Sequence, residues 1–358
     1  MVILHIARMP ADTCSGVRCA VPGHVRAQKR FADTALWNLG ERVDLDGLSP
    51  VFDAESLDTL PMPYRRPDAA VFHEIYIPRF PAIAKQLRKS GIPYFIVPHG
   101  SLRRGAQQHS RLKKTAANLL LFRSFCDRAA GIQCLTEQEK RESVMGKRLF
   151  VAPNGVDPQP QTKRRFHSDS TRFIYVGRLD SHVKGLDRML KAFAAEKAFL
   201  LENGCTLDLY GPAEERGVSR ADEVRALIAE TGTEALVTLH PAVYGEEKRR
   251  VLLDADVFIQ TSRTEGMPLG VLEALSYGLP CLLTEGTSLA QAVSDTGAGR
   301  NAGSTVDGIA EALAQFVRDR DRLPQLSANA LALSQAYSWD AAAHRAIDAY
   351  RALLSNGS

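Results

Sequence analysis

Two glutamates and two cations in the second half of the chain are of types that could grip a phosphorylated, hydroxyl-rich ligand. Glu265 and Glu273 stand in the run Ser262-Arg263-Thr264-Glu265-Gly266-Met267-Pro268-Leu269-Gly270-Val271-Leu272-Glu273. A carboxylate accepts hydrogen bonds from vicinal hydroxyls, so one glutamate could hold a sugar and the other a ribose. Each could equally be a helix-terminal or solvated charge. Hydrolysis by paired carboxylates competes as a reading, but it needs carboxyl groups about 5–5.5 Å or 6.5–9.5 Å apart. Helical rise over this spacing puts the two backbones roughly 10–12 Å apart, which disfavours it. Arg178 and Lys184, in Gly177-Arg178-Leu179 and Lys184-Gly185, form the second constellation. Two cations on one strand–loop–helix could clamp a diphosphate leaving group and offset the charge that develops on it; singly, each reads as a surface cation. His99 follows an apolar run and precedes Gly100, so its imidazole should project at a strand's carboxyl end, as a functional group or a structural hydrogen-bonder. His24, His73 and His240 make weaker cases.

The elements that must position these residues follow from period and punctuation. Short apolar runs alternate with helical stretches, the pattern of parallel sheets wrapped by helices. In the first half strands are expected at 3–7, 70–73, 94–97, 132–135 and 150–152, with helices at about 24–38, 79–90, 110–125 and 137–145. The polar, proline-containing stretch 157–171 reads as a linker. A second series then places strands at 173–176, 206–210, 237–239, 257–261 and 281–283. Pro268 suits a first helical position, and Gly278 with Pro280 should end that helix. In such sheets ligands bind outside the carboxyl ends of the strands, which is where the loops holding Gly16, His99, Arg178 and Glu265 fall.

A chain of 358 residues, 45% hydrophobic, can bury two cores of ordinary size. Its net charge of +4 conceals an asymmetry: residues 1–166 carry 26 Lys and Arg against 15 Asp and Glu, and residues 167–358 carry 19 against 26. The first half is thus basic enough to meet an anionic partner. Within it, Arg103, Arg104, Arg111, Lys113 and Lys114 accompany apolar positions at helical spacing, which reads as a core-facing helix with a basic outer side or as attachment to anionic lipid. The basic residues are not interleaved with stacking aromatics, so nucleic acid is not the expected partner. The cysteines at 14, 19, 126, 134, 205 and 281 form no Cys-x-x-Cys pair and no zinc-type spacing, and read as reduced thiols of a cytosolic protein. With no signal-peptide core and no apolar run of about 18 residues, the expectation is a soluble cytoplasmic protein, at most peripheral at the inner face of a membrane. No aspartate pair or His/Cys cluster is spaced to hold a metal, and none is expected to be required.

Taken together, Gly177-Arg178-Leu179, Lys184-Gly185, Glu265-Gly266, Leu272-Glu273-Ala274-Leu275 and Gly278-Leu279-Pro280 resemble glycosyltransferase family 4, with the GT-B architecture. Asn154-Gly155-Val156-Asp157 and Ser338-Trp339 match it too. The resemblance implies two Rossmann-like α/β domains facing each other across a cleft: 1–156 for the acceptor and 172–338 for the donor, joined by 157–171, with 339–358 packing back on the first. It implies a retaining transferase that moves a sugar from a nucleotide-diphosphate sugar, with no cofactor, to a glycan or lipid-linked acceptor in surface polysaccharide or glycoconjugate synthesis. Arg178 and Lys184 would contact the diphosphate, and Glu265 the transferred sugar beside the backbone of Gly266, Met267, Pro268 and Leu269. Glu273 would hold the ribose, the stretch near Val243 the base, Gly16 the β-phosphate, and His99 the sugar and acceptor. Two features depart from the family pattern: Ser15 stands where a second glycine is common, and Pro241 where a glycine is. A sugar-nucleotide 2-epimerase of the same fold and a catalytically silent nucleotide-sugar-binding subunit are the alternatives.

Overall fold

The apolar runs become buried strands of two parallel sheets in the computed structural model, which describes residues 1–9, 16–42, 44–45, 47–108, 117–215 and 217–355. Parallel strands need crossovers that cover both faces of a sheet, so their sequences are near-continuously apolar. Ala69–His73 (β4) and Tyr94–Val97 (β5) are buried at every position. With Val2–Ala7 (β1), Asp33–Asn38 (β2), Val51–Phe52 (β3), Gly131–Cys134 (β6) and Leu149–Val151 (β7) they form one sheet, in the order β3-β2-β1-β4-β5-β6-β7. Its core gathers Trp37, Phe72, Phe80 and Tyr94.

The second sheet holds Arg172–Val176 (β8), Thr206–Tyr210 (β9), Val237–His240 (β12), Val257–Gln260 (β13), Cys281–Leu283 (β14) and Gly299–Asn301 (β15), in the order β12-β9-β8-β13-β14-β15. Glu214–Glu215 (β10) and Val218–Ser219 (β11) pair separately and antiparallel. Its core packs Phe173, Phe193, Leu313 and Phe316. In each sheet the strand order reverses once, between β1 and β4 in the first and between β8 and β13 in the second. Loops leaving the two strands of such a reversal diverge and open a crevice at their carboxyl ends.

The chain divides into two units, one of Met1–Gly155 with Ser338–Ser358, the other of Val156–Tyr337. The helix Trp339–Ser355 therefore belongs to the first unit. It buries Ala342, Ala343, Ala346, Ile347 and Tyr350 as one stripe at helical spacing, and the Tyr350 ring lies 4.4 Å from that of Phe95. A side chain at Gly155 would come within 2.5 Å of the Trp339 Cα, so only glycine lets the backbone pass there.

Several expectations are corrected. Residues 33–38 are not the end of a helix over 24–38: the helix is Gly16–Lys29, and 33–38 is β2, hydrogen-bonded between β1 and β3. A short apolar run without period fits helix and strand alike, and the slot between β1 and β3 decides it. The expected helix 110–125 is Arg104–Gln108 followed, beyond residues outside the description, by a π turn at Asn118–Phe122 and the short helix Arg123–Asp127. Pro268 is the residue before the helix Leu269–Tyr277, with ψ 107, and Gly278 ends that helix in the left-handed region at φ 82. The stretch 157–171 packs on the second unit instead of hanging free. Lys163 is buried there, 3.3 Å from Asp256 and bonded to the carbonyls of Leu253 and Asp254, contacts a hydrophobic pattern does not reveal.

Candidate functional site

The loops that leave β8 and β13 bring the charged residues of the second unit together at its strand-order reversal. The loop after β8 carries Arg178 and Lys184 into the helix Leu186–Ala195, with Gly185 at φ 70. A Cβ on Gly185 would lie 2.0 Å from the Thr261 carbonyl oxygen, so this loop can reach the neighbouring one only through a glycine. The Thr261 hydroxyl donates to the Gly185 carbonyl at 2.8 Å, and the Arg263 N–H to the Val183 carbonyl at 2.9 Å. Arg263 adds a two-pronged bond to Asp187, at 2.7 Å to each oxygen. So clamped, the loops set Lys184 Nζ on Glu265 Oε1, with the two side chains 14% and 15% exposed. The same oxygen accepts from Ser262 Oγ at 2.9 Å and Gln260 Nε2 at 3.2 Å. A cation and a carboxylate thus share one half-buried spot at the mouth of the sheet.

Glu273, on the second turn of the helix Leu269–Tyr277, pairs with Lys248 from the helix Gly245–Asp254. Val243 is 5% exposed, as buried as Met267 at 7%. Gly266 and Leu269 are half-buried, and Pro268 is buried. Sequence reasoning missed Lys248, Gln260 and Ser262, because a single Lys, Gln or Ser has no pattern until the fold sets it beside a carboxylate.

In the first unit, Gly16 is exposed at the start of the helix Gly16–Lys29, and a Cβ there would meet nothing within 4 Å. Neither space nor backbone torsion requires glycine at this helix start. Residues 10–15, with Cys14 and Ser15, lie outside the described residues. His99 follows β5 with φ 49, and Gly100 after it has φ 83. A left-handed non-glycine residue stores strain that its surroundings must hold. Here Glu139 does so, its buried carboxylate accepting from the N–H of Gly100 and of Leu135, each at 2.6 Å.

Behind His99 runs a row of histidines. His99 Nε2 lies 3.0 Å from His73 Nδ1, His73 Nε2 lies 2.9 Å from His5 Nδ1, and His5 Nε2 lies 3.2 Å from Gln28 Oε1. His24 stands alongside, its Nε2 2.9 Å from Asn154 Oδ1 and its ring edge-on to Trp339 at 5.3 Å. Burial lowers the pKa of His5 and His99 to about 3 and that of His24 to about 4, and pulls His73 well below its ordinary value. All four rings are neutral at neutral pH. Among the described residues, no group of three or more His, Cys, Asp or Glu is placed to hold a metal ion. The row was legible in register only: His5 pairs with Val71 and His73 with Val97, so each histidine lies two residues beyond its neighbour's partner, on the same face. Glu74, with φ 74 and a pKa raised by burial, directly follows β4 and His73 and was also missed.

Residues 158–332 match the family described as glycosyl transferases group 1. A D-inositol 3-phosphate glycosyltransferase of Streptomyces griseus is 27% identical over 186 residues, which is 51% of this chain and 39% of that protein. The chain thus spans about two fifths of the length of this relative. The fold is shared more widely. Sucrose-phosphate synthase from Thermosynechococcus elongatus superposes with a TM-score of 0.75 over 99% of this chain and 100% of that one, at 17% identity. The Anabaena protein HepE, solved in complex with UDP, does so with a TM-score of 0.72 over 98% and 100%, at 14% identity. At these identities the likeness is one of fold, the GT-B architecture of two Rossmann-like units.

Proposed function

From the match of residues 158–332 to the glycosyl transferases group 1 family, we propose that this protein transfers a sugar from a nucleotide-diphosphate sugar to a hydroxyl of a glycan or lipid-linked acceptor, with retention and without a metal. The observation that carries the reading is the Lys184–Glu265 pair at the strand-order reversal of the second sheet. Cation and carboxylate touch there, as the bond between a sugar and its diphosphate would require of two groups holding either side of it. In this reading Arg178 and Lys184 hold the diphosphate, Glu265 the transferred sugar and Glu273 the ribose. The backbone from Gly266 to Leu269 lies beside the sugar, that near Val243 beside the base, and Gly16 takes the β-phosphate. The first unit receives the acceptor.

The chemistry is a displacement at the anomeric carbon. The bond from that carbon to the diphosphate oxygen breaks, the bond to the acceptor oxygen forms on the same face, and the acceptor proton passes to the departing diphosphate. Arg178 and Lys184 stabilise the charge that develops on the diphosphate, supplying what a divalent cation would otherwise supply. A double displacement would instead need a carboxylate about 3 Å from the anomeric carbon. Glu265, already held by Lys184, Ser262 and Gln260, is suited to binding hydroxyls.

We further propose that the first unit meets an anionic membrane. Leu119, Leu120 and Leu121 are 71%, 79% and 49% exposed in succession, and Arg123 next to them is exposed as well. Arg104 is exposed too, whereas Arg103, expected on this surface, is buried against Glu142 and takes no part. Arg111, Lys113 and Lys114 lie outside the described residues. Among the described residues no helix is long and apolar enough to cross a membrane.

The test of the central reading is the first-formed product of a transfer assay run with excess chelator, its anomeric configuration read by proton NMR. Retention with full activity in chelator is expected. Inversion would overturn the mechanism, and loss of activity restored by Mn²⁺ would overturn metal independence.

A further inference from the structure

The histidine row has a direction, and its origin lies far from His99. Gln133 Nε2 donates to the Ala152 carbonyl at 3.0 Å, so Gln133 Oε1 must face the other way, where it accepts from the Tyr350 hydroxyl. With its proton committed, the phenol oxygen can only accept. Gln28 is the side chain beside it, and the buried Gln28 Nε2 has no hydrogen-bond partner of ordinary geometry. Turning the amide over would set two acceptors against each other, so Gln28 presents its nitrogen to Tyr350 and its oxygen to His5.

From that oxygen the assignments follow one by one. Gln28 Oε1 can only accept, so His5 carries its proton on Nε2 and its neutral ring leaves Nδ1 as an acceptor. His73 must then donate from Nε2, leaving its own Nδ1 to accept. His99 must likewise donate from Nε2. Its remaining ring nitrogen, Nδ1, holds a lone pair.

We propose that Gln28, acting through His5 and His73, is a positioning residue that locks His99 in the Nε2–H tautomer, so that His99 offers a ligand an acceptor and no donor. This deepens the functional reading above and rests on it: with His99 at the sugar or acceptor, its Nδ1 accepts a hydrogen bond from a hydroxyl. It selects for a hydroxyl at that place, and against a carbonyl, carboxylate or phosphate oxygen. The hydroxyl so held keeps its oxygen lone pairs directed away from His99, available for attack or for bonds elsewhere.

Long-range proton–nitrogen NMR of the full chain with labelled histidine, assigned by single His→Gln substitutions, reads each tautomer directly. Nε2–H is expected for His5, His73 and His99, and an Nδ1–H signal from His99 in the unaltered protein would overturn the proposal. In Gln28→Met the anchor is gone: His99 should populate both tautomers and kcat should fall about tenfold, with affinity for the nucleoside diphosphate unchanged. Gln28→Glu, in its protonated form, offers a hydroxyl to Tyr350 and a carbonyl to His5 and should restore both tautomer and rate. A Gln28→Met protein whose His99 stays entirely Nε2–H would overturn the role of Gln28. If the tautomers are as expected but His99→Gln transfers sugar at the full rate, the tautomer lock stands and the placement of His99 at the sugar or acceptor is what falls.

Discussion

Lys184 Nζ rests on Glu265 Oε1, joining the loop after β8 to the loop after β13. In the proposed complex the amine turns from this carboxylate to the donor diphosphate, leaving Glu265 to the sugar hydroxyls. Lys184→Ala should therefore weaken binding of a nucleoside diphosphate by about tenfold to a hundredfold, the scale of one charge-assisted contact. Calorimetry with the bare nucleoside should show almost no change. Equal loss for both ligands would take Lys184 off the phosphates.

Glu273 makes the complementary case. It is paired with Lys248 and is partly exposed, so the ion pair itself contributes little to stability. Glu273→Ala should leave unfolding temperature nearly unchanged while weakening nucleoside and nucleoside diphosphate alike, by about tenfold. Retention of both affinities would mean that the carboxylate serves only its lysine.

The buried histidines make the stability of the first unit pH-dependent in one direction. His5 and His99 titrate at about 3 and His24 at about 4, against an unfolded value near 6.5. Below 6.5 the unfolded chain binds protons that the folded one refuses, so stability rises with pH across this window. The contribution is full above about pH 6.5 and is lost as pH falls, toward 4 for His24 and toward 3 for His5 and His99. The slope approaches about 1.4 kcal/mol per pH unit for each histidine well below 6.5. Unfolding midpoints at pH 7.5, 6.5 and 5.5 should drop increasingly on the acid side. A flat profile would mean that these rings are hydrated or charged in the folded state.

The sequence's local patterns announce the strands whose burial is continuous, such as β4, β5 and β13, and the helix end at Gly278, where the backbone turns left-handed. They also single out Arg178, Lys184 and Glu265, in loops punctuated by glycine and proline, and Glu273 in the helix that follows. What they do not announce depends on register across the sheet. His5 and His73 look like ordinary residues of apolar strands until β1, β4 and β5 are set side by side, two residues out of step. β2 hides inside an apolar run because its place is decided by the neighbours it pairs with. Lys163 hides in a polar stretch because its partners, Asp256 and two carbonyls, come from about 90 residues away.

The exposed leucines carry the last prediction. Leu119, Leu120 and Leu121 present apolar surface at successive positions, an arrangement that water disfavours and a bilayer interface would accept. Burying a leucine fully yields about 1.5–3 kcal/mol, and each nearby Lys or Arg adds about 1 kcal/mol at an anionic surface. The two contributions separate experimentally, because salt screens the charges and leaves the leucines untouched. Cosedimentation with vesicles of mixed neutral and anionic lipid should show binding that weakens with salt but does not vanish. The triple substitution Leu119→Ser, Leu120→Ser, Leu121→Ser should reduce binding at least tenfold and remove the salt-resistant part. Arg104→Gln with Arg123→Gln should lower only the salt-sensitive part. Since none of these positions belongs to the buried core, the variants should keep the unfolding temperature of the parent, so a loss of binding reports on the surface itself. Unchanged binding by the triple variant would show that the leucines do not touch the bilayer.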